Sequence, residues 1–290
     1  MKHGADVKPV LKWAGGKRQL LEPILSFVER AFPDRIDKYY EPFAGGAAVF
    51  FALVAKAKFR RARLSDMNAD LIGVYRALRD DLHSVISELE KLRELGHSED
   101  AYYQVRARRP IKQSTRAARL IYLNRTGYNG LYRVNRSGEF NVPFGRYAKP
   151  QILDSSRLQA AAQALQGVEL EVEDFERSCR RAKTGDFVYF DPPYLPLSKT
   201  ANFAAYHAAP FTLTEHERLA KTFARLTQRG VPTLLSNSDT AETRSLYQAF
   251  ETRTVHAARA INSKASARGK ISEILVHSAP AVRPQRRKKA

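Results

Sequence analysis

Lys38-Tyr39-Tyr40-Glu41-Pro42-Phe43-Ala44-Gly45-Gly46-Ala47-Ala48 is the stretch on which the fold turns. Its first four residues are strand-like, its two glycines make a turn, and the apolar run from Ala47 to Lys56 predicts a helix. Residues 62–66, ending at Asp66, predict a second short strand. Strand, glycine turn, helix, strand is the opening of a nucleotide-binding α/β unit. Gly45 and Gly46 lack Cβ atoms, so a ligand could approach the backbone closely with a helix N-terminus behind it. Asp66 follows at a strand end about 20 residues on, where an acid would accept both hydroxyls of a ribose. Taken alone, the pattern fits an ordinary tight turn equally well. It is not a dinucleotide fingerprint, because G-x-G-x-x-G is absent. Nor is Gly15-Gly16-Lys17-Arg18 a phosphate-binding P-loop: Leu11 stands where the first glycine belongs and Arg18 where Ser or Thr would hold magnesium.

Outward from this unit, Leu20, Leu21, Ile24, Leu25 and Val28 predict a helix over residues 18–31, with Pro33 beyond it as a stop. From Asp70 to Leu95 the apolar spacing is again helical, and two shorter helices are expected near 99–108 and 114–124. This stretch breaks the α/β alternation. It resumes after residue 154, with strands at Val168–Val172, Phe187–Phe190 and Thr233–Ser236 and helices at 155–165 and 214–229. The expected architecture is a Rossmann-like α/β domain made of residues 1–68 and 154–278. It is interrupted by a mainly helical module at 69–153 and followed by a basic tail at 279–290.

Charge separates the function classes. The 290 residues carry 49 Lys plus Arg against 30 Asp plus Glu, a formal +19, which favours a polyanionic partner. Residues 101–149 hold 11 basic residues against Glu139 alone, interleaved with Tyr122, Tyr128, Tyr132, Phe140, Phe144 and Tyr147. Basic side chains beside aromatic ones suit phosphate contacts next to stacking or wedging groups. No apolar run reaches the roughly 18 residues of a membrane span, and the first residues lack a signal-peptide core. A single cysteine, Cys179, excludes an internal disulfide and a multi-cysteine metal site, so a reduced, cytoplasmic compartment is expected. The seven histidines have no metal-ligand spacing, and His207 alone lies near a motif. No metal is expected.

Asp191-Pro192-Pro193-Tyr194, directly after the apolar Phe187-Val188-Tyr189-Phe190, is the strongest chemical signal. Its chemistry suits methylation of an exocyclic amine, whose lone pair is delocalised into the ring and is a poor nucleophile. Asp191 and the Pro192 carbonyl could accept the two amine hydrogens and turn the lone pair toward an electrophilic methyl group. Fixed acceptors aimed at developing positive charge lower the barrier without a strong base. Pro192 and Pro193 stiffen the turn, and Tyr194 would stack on the base.

Together with Leu11-Lys12-Trp13-Ala14-Gly15-Gly16-Lys17, the Glu41-to-Ala48 turn and Asp66-Met67-Asn68, this tetrapeptide resembles the Dam-type DNA adenine methyltransferases, motif by motif and in the family's order. The resemblance covers roughly residues 8–276. It is most specific from Tyr122 to Arg133 and from Gly138 to Tyr147, which are similar to the target-recognition hairpin of enzymes that methylate adenine in GATC. Leu197-Ser198, Thr200–Phe203 and Ala205–His207 resemble the loop after that family's catalytic turn. The resemblance implies a fold that binds S-adenosylmethionine and a duplex-DNA substrate whose target base is flipped out of the stack. It assigns catalysis to Asp191, Pro192, Pro193 and Tyr194. The cofactor falls to Trp13, Lys17, Phe43, Gly45, Gly46, Asp66 and Asp191, with Asp174 and Phe175 at its adenine. Lys12, Asn129, Leu131, Arg133, Pro143 and Tyr147 would read bases, with Arg133 as the bidentate guanine reader. Tyr128 would wedge into the duplex, and Arg116, Arg125, Asn135, Asn141 and Arg146 would meet phosphates. This sequence departs from the family in its glycine turn, Phe-Ala-Gly-Gly-Ala, where relatives more often space the glycines by one residue. Thr126 and Tyr132 are further departures.

The alternatives are methylation of cytosine's exocyclic amine, an RNA substrate, and a catalytically silent DNA-binding regulator on the same scaffold. Cofactor binding would separate the last from the others. A monomer in solution is expected.

Overall fold

The computed structural model describes residues 7–13, 20–135, 137–195, 211–258 and 270–278. Among these, seven strands form one sheet in the order β3-β2-β1-β4-β5-β7-β6. β1 (Ile36–Glu41), β2 (Phe59–Asp66), β3 (Glu169–Val172), β4 (Phe187–Phe190) and β5 (Thr233–Ser238) are parallel. β7 (Lys270–His277) inserts antiparallel between β5 and β6 (Glu251–Ala258).

The sheet separates two cores because side chains alternate across it. Tyr39, Phe187, Tyr189, Leu234 and Leu275 point to one face, where they meet α1 (Leu21–Ala31), α2 (Ala48–Ala55) and α3 (Ala69–Asp80). Tyr40, Val188, Phe190, Leu235, Ile274 and Val276 point to the other, toward α8 (Phe175–Cys179), α9 (Leu213–Gln228) and α10 (Ala241–Leu246). The sequence of α2, Ala-Val-Phe-Phe-Ala-Leu-Val-Ala, is apolar on every side, as a helix enclosed by other elements requires.

The crossover from β2 to β3 carries the extra helices α4 (Leu82–Glu94), α5 (Glu99–Ala107), α6 (Gln113–Thr126) and α7 (Ser155–Ala164). The helix expected from Asp70 to Leu95 is two helices. Asp81, at φ −147° and ψ 49°, ends α3 and starts α4. An acidic residue is unfavourable at a helix C-terminus and favourable at the N-terminus of the next, so Asp80-Asp81 is a natural break. The hydrophobic core runs without interruption from the sheet through Leu71, Tyr75, Leu89, Tyr102, Ile121 and Leu158. Arg76 and Arg79 of α3 tie this layer to β3 by donating to the Leu170 and Val168 carbonyls. α8, α10, β6 and β7 lie outside the expectations from sequence, the last two completing the sheet. β6, reading Glu-Thr-Arg-Thr-Val-His-Ala-Ala, is an edge strand with little apolar alternation to betray it.

Candidate active site and nucleic-acid interface

All five parallel strands point their carboxyl ends the same way. The strand order reverses between β1 and β4, the position where open α/β sheets receive ligands. The glycine turn after β1, Asp66 at the end of β2, Asp174 just after β3, Asp191 just after β4 and Ser236–Ser238 at the end of β5 therefore share one rim.

Gly45 adopts φ +45°, and a Cβ on it would come within 2.9 Å of Trp13 Cδ1. One on Gly46 would lie 3.0 Å from Trp13 Cβ. Glycine is thus required because the indole rests on the turn. Asp66 is buried. One of its oxygens accepts from the Gly45 N–H at 3.1 Å and the other from the Asn68 N–H at 2.9 Å, which orients the carboxylate and shapes the turn. Phe43 stacks on Phe175 at 5.4 Å, with Phe211 edge-on to both, forming an apolar wall beside the turn. Asp174 caps α8 through the Glu176 N–H and is gripped by both nitrogens of Arg218, at 2.8 and 2.6 Å. Burial pushes the Asp174 carboxyl up, but Arg218 and the backbone N–H outweigh it and hold it below its ordinary range. The Arg218 guanidinium also covers the Phe175 ring at 4.2 Å. No motif pointed to Arg218. Lys17 lies outside the described residues.

Asp191 is oriented from β5: the Ser236 hydroxyl donates to its Oδ1 at 3.0 Å, and the Tyr189 hydroxyl lies 2.8 Å from Ser236 Oγ. Tyr194 donates to Glu273 Oε2 of β7 at 3.0 Å. Burial, Asp191 and Glu273 raise its phenol well above the ordinary value, so Tyr194 remains neutral. Asn237 accepts from the Leu195 N–H at 3.2 Å, and Ser238 donates to the Leu195 carbonyl at 2.7 Å. The turn is therefore pinned at both ends to β5 and β7. Glu273 and Ser236 escaped the sequence reading because neither sits in a motif, and β7 was not foreseen. The expectation that His207 alone lies near a motif needs amending. His207 is outside the described residues, whereas His216, on the first turn of α9, is buried against Phe211 at 4.7 Å and faces the Pro193 backbone. Burial lowers its pKa to about 4, so the ring is neutral.

The basic segment forms an irregular loop after α6. Asn124, 1% exposed, is its clamp: it accepts from the Lys12 N–H and donates to the Lys12 and Gly130 carbonyls, each at 2.8 Å. Lys12 packs so closely on Gly130 (φ +62°) that a Cβ there would lie 2.5 Å from Lys12 Cδ. Beyond this clamp Lys12 extends over the Tyr147 ring at 4.6 Å. Tyr132, a departure from the family pattern, is buried and stacks on Trp13 at 5.4 Å. Trp13 thus lies between the glycine turn and the loop after α6 and touches both.

Tyr128, Asn129, Pro143 and Arg146 are exposed, and Leu131, Arg133, Asn135, Asn141 and Tyr147 half-buried. Asn129 takes the left-handed conformation at φ 53°. Tyr128 is held by its N–H to the Pro143 carbonyl at 2.9 Å. Arg133 donates to the Asn141 carbonyl at 2.5 Å, and its buried Nε has no partner among the described residues. Asn135 accepts from the Ser137 and Glu139 N–H groups and thereby folds the hairpin tip. The charges of Arg116 and Arg125 are already engaged: Arg116 pairs with Asp70 at 2.7 Å, and Arg125 turns inward onto the Val10 carbonyl at 2.5 Å.

Among the described residues no cluster of three or more metal-binding side chains occurs, and no helix is long and apolar enough to cross a membrane. Comparison with known proteins agrees with this geometry. Residues 13–261 match the D12 class N6 adenine-specific DNA methyltransferases. The chain is 41% identical over 276 residues to the type II methyltransferase M.MjaIII of Methanocaldococcus jannaschii, covering 91% of this chain and 96% of that one. It is 40% identical over 278 residues to the DNA adenine methylase of Escherichia coli K12, covering 94% and 95%. To the type II methyltransferase M1.LlaDCHI of Lactococcus lactis subsp. cremoris it is 37% identical over 283 residues, covering 95% and 96%. With its Asp191–Tyr194 turn and glycine turn on one rim of the sheet, the chain belongs to the D12 class of N6 adenine-specific DNA methyltransferases.

Proposed function

We propose that this enzyme methylates the exocyclic amine of adenine within GATC in duplex DNA, after the base has swung out of the stack. Enzymes of this family use S-adenosylmethionine. The residues present fit that cofactor: a glycine turn that side chains would block, a buried carboxylate at the end of β2, and an apolar Phe43–Phe175 wall suited to an adenine ring. When bound, S-adenosylmethionine supplies an electrophilic methyl group. Asp66 would hold the ribose, Trp13, Gly45 and Gly46 its amino-acid end, and Asp174 and Phe175 its adenine.

Asp191 and the Pro192 carbonyl accept the two hydrogens of the target amine and draw its lone pair out of conjugation. Transfer of the methyl group to the nitrogen would leave the cofactor as its neutral thioether, and the positive charge on the amine would be met by the Asp191 carboxylate and discharged by loss of one amine proton toward it and on to solvent. Tyr194 stacks on the flipped base. Residues 69–153 form the recognition module: Lys12, Asn129, Leu131, Arg133, Pro143 and Tyr147 read base edges, and Tyr128 enters the gap in the duplex. Arg116, Arg125, Asn135, Asn141 and Arg146 meet the backbone, the two engaged arginines exchanging their present partners for phosphate.

The observation that carries this reading is the Asp191 carboxylate held by Ser236 beside the glycine turn. The experiment is transfer of labelled methyl from S-adenosylmethionine to paired duplexes, one containing GATC and one with its adenine replaced. Label in the first alone supports enzyme, base and site together. Equal label in both removes the site assignment, and no label in either, with DNA still bound, overturns the proposal.

A further inference from the structure

Ser236 is fully buried near the end of β5, and its hydroxyl faces Asp191, Tyr189 and Tyr194. A serine hydroxyl has one proton, and here it is given to Asp191 Oδ1 at 3.0 Å. The contact between Tyr189 and Ser236 Oγ, at 2.8 Å, must then have the tyrosine as donor. Tyr189 is itself fully buried in β4, one residue before Phe190, and packs into the core on the α1–α3 face of the sheet. The chain Tyr189–Ser236–Asp191 thus runs from an immobile strand residue to the carboxylate that ends the same strand.

A carboxylate following a strand by one residue is free to rotate about χ2 unless something holds an oxygen. Acceptance of an amine hydrogen is directional, and it weakens steeply as the carboxylate plane turns away. We propose that Ser236 is a positioning residue for methyl transfer. With Tyr189 behind it, its hydroxyl fixes the plane of the Asp191 carboxylate so that the group is aligned before the base arrives. This rests on the reading of Asp191 as the amine's acceptor. It assigns Ser236 a role chiefly in the rate of the chemical step, because its hydroxyl bonds to Asp191 and faces Tyr194, the groups proposed to meet the amine and the base.

The test is single-turnover methyl transfer with S236A, S236C, S236T, Y189F and D191A, alongside affinity for S-adenosylmethionine and for duplex, and thermal melting of each variant. Expected are a roughly tenfold slower step in S236A and in the near-isosteric S236C, with both affinities within twofold of the parent. S236T, which restores the hydroxyl, recovers most of the rate, and Y189F slows it by a smaller factor. If S236A and S236C transfer methyl at the parental rate while D191A is inactive, the positioning role is overturned and the reading of Asp191 stands. Equal impairment of S236T and S236A, tracking loss of melting temperature, also overturns it, since packing alone would explain that result. Activity in D191A overturns the reading beneath it.

Discussion

The Asp191–Tyr194 turn, proposed to carry the chemistry, and the segment proposed to read DNA are built by opposite means. Asp191–Tyr194 hangs from the end of a fully buried strand and is tied to β5 and β7 by Ser236, Asn237, Ser238 and Glu273. The described residues of 127–147 form no regular strand: one short helical turn at Tyr128–Gly130, the isolated bridges Gly127 to Phe144 and Val134 to Phe140, and scattered backbone and side-chain hydrogen bonds keep their shape. The difference fits what each is proposed to do. Methyl transfer tolerates little misplacement, so its groups sit on rigid elements. Reading a duplex requires exposed, adaptable groups, so they sit on a loop fixed at a few points.

The sharpest way to break this comparison is at Asp191. Asp191→Ala should lower the methyl-transfer rate by about 10³-fold while leaving duplex affinity within a few-fold, because the recognition segment does not depend on it. Single-turnover transfer and fluorescence anisotropy with labelled duplex check the two halves. Parallel loss of rate and DNA affinity would show that the regions are not separately built.

The next largest effect is expected at the joint between them. Asn124→Ala removes three hydrogen bonds and leaves the Lys12 N–H and the Lys12 and Gly130 carbonyls without their partner. A loss of about 2–3 kcal/mol in unfolding free energy should result. Cofactor and DNA affinity should fall together, because the Lys12–Trp13 segment touches both the glycine turn and Tyr132. Denaturant titration and the two binding curves decide this.

Within the recognition segment, Arg133→Ala should cost roughly 1–3 kcal/mol of discrimination at one base pair, visible as relaxed preference across a panel of single-substitution sites. Binding at low salt should change little. Uniform weakening on every sequence would instead place Arg133 among the phosphate contacts.

The sequence was legible where chemistry and periodicity coincide. Phe187-Val188-Tyr189-Phe190-Asp191 is a buried strand ending in a functional acid, and the strand, turn and helix from Lys38 to Lys56 leave little choice of fold. Legibility failed where an element is defined by its neighbours. β6 alternates poorly because it is an edge, and α8 is only five residues long. Asp80-Asp81 splits a continuous apolar spacing by placing acidic charge at a helix C-terminus, which apolar periodicity does not register. At the candidate site, the sequence pointed to residues in motifs and passed over those that brace the motifs from other strands. Ser236, Glu273 and Arg218 acquire meaning only once β5, β7 and α9 are placed beside β4 and α8. Asn124 lies inside the resembling segment, but its role as a clamp on Lys12 depends on a contact across 112 residues.

His216 offers the smallest effect and a distinct test of how firmly the catalytic turn is held. Its ring is 1% exposed, and burial lowers its pKa from the usual 6.5 to about 4. Between these values the unfolded chain binds a proton that the native state refuses, so native stability falls as the pH drops through that window and is unaffected above it. From pH 7 to pH 5 the histidine should contribute a loss on the order of 1–2 kcal/mol. His216→Gln cannot take up that proton, so its stability should decline less over the same range, with the two proteins differing least near pH 7. Urea unfolding at pH 7, 6 and 5 measures this directly. Parallel pH profiles for parent and variant would mean that the ring is protonated in the native state, and that the packing behind Pro193 is loose enough to admit a charge.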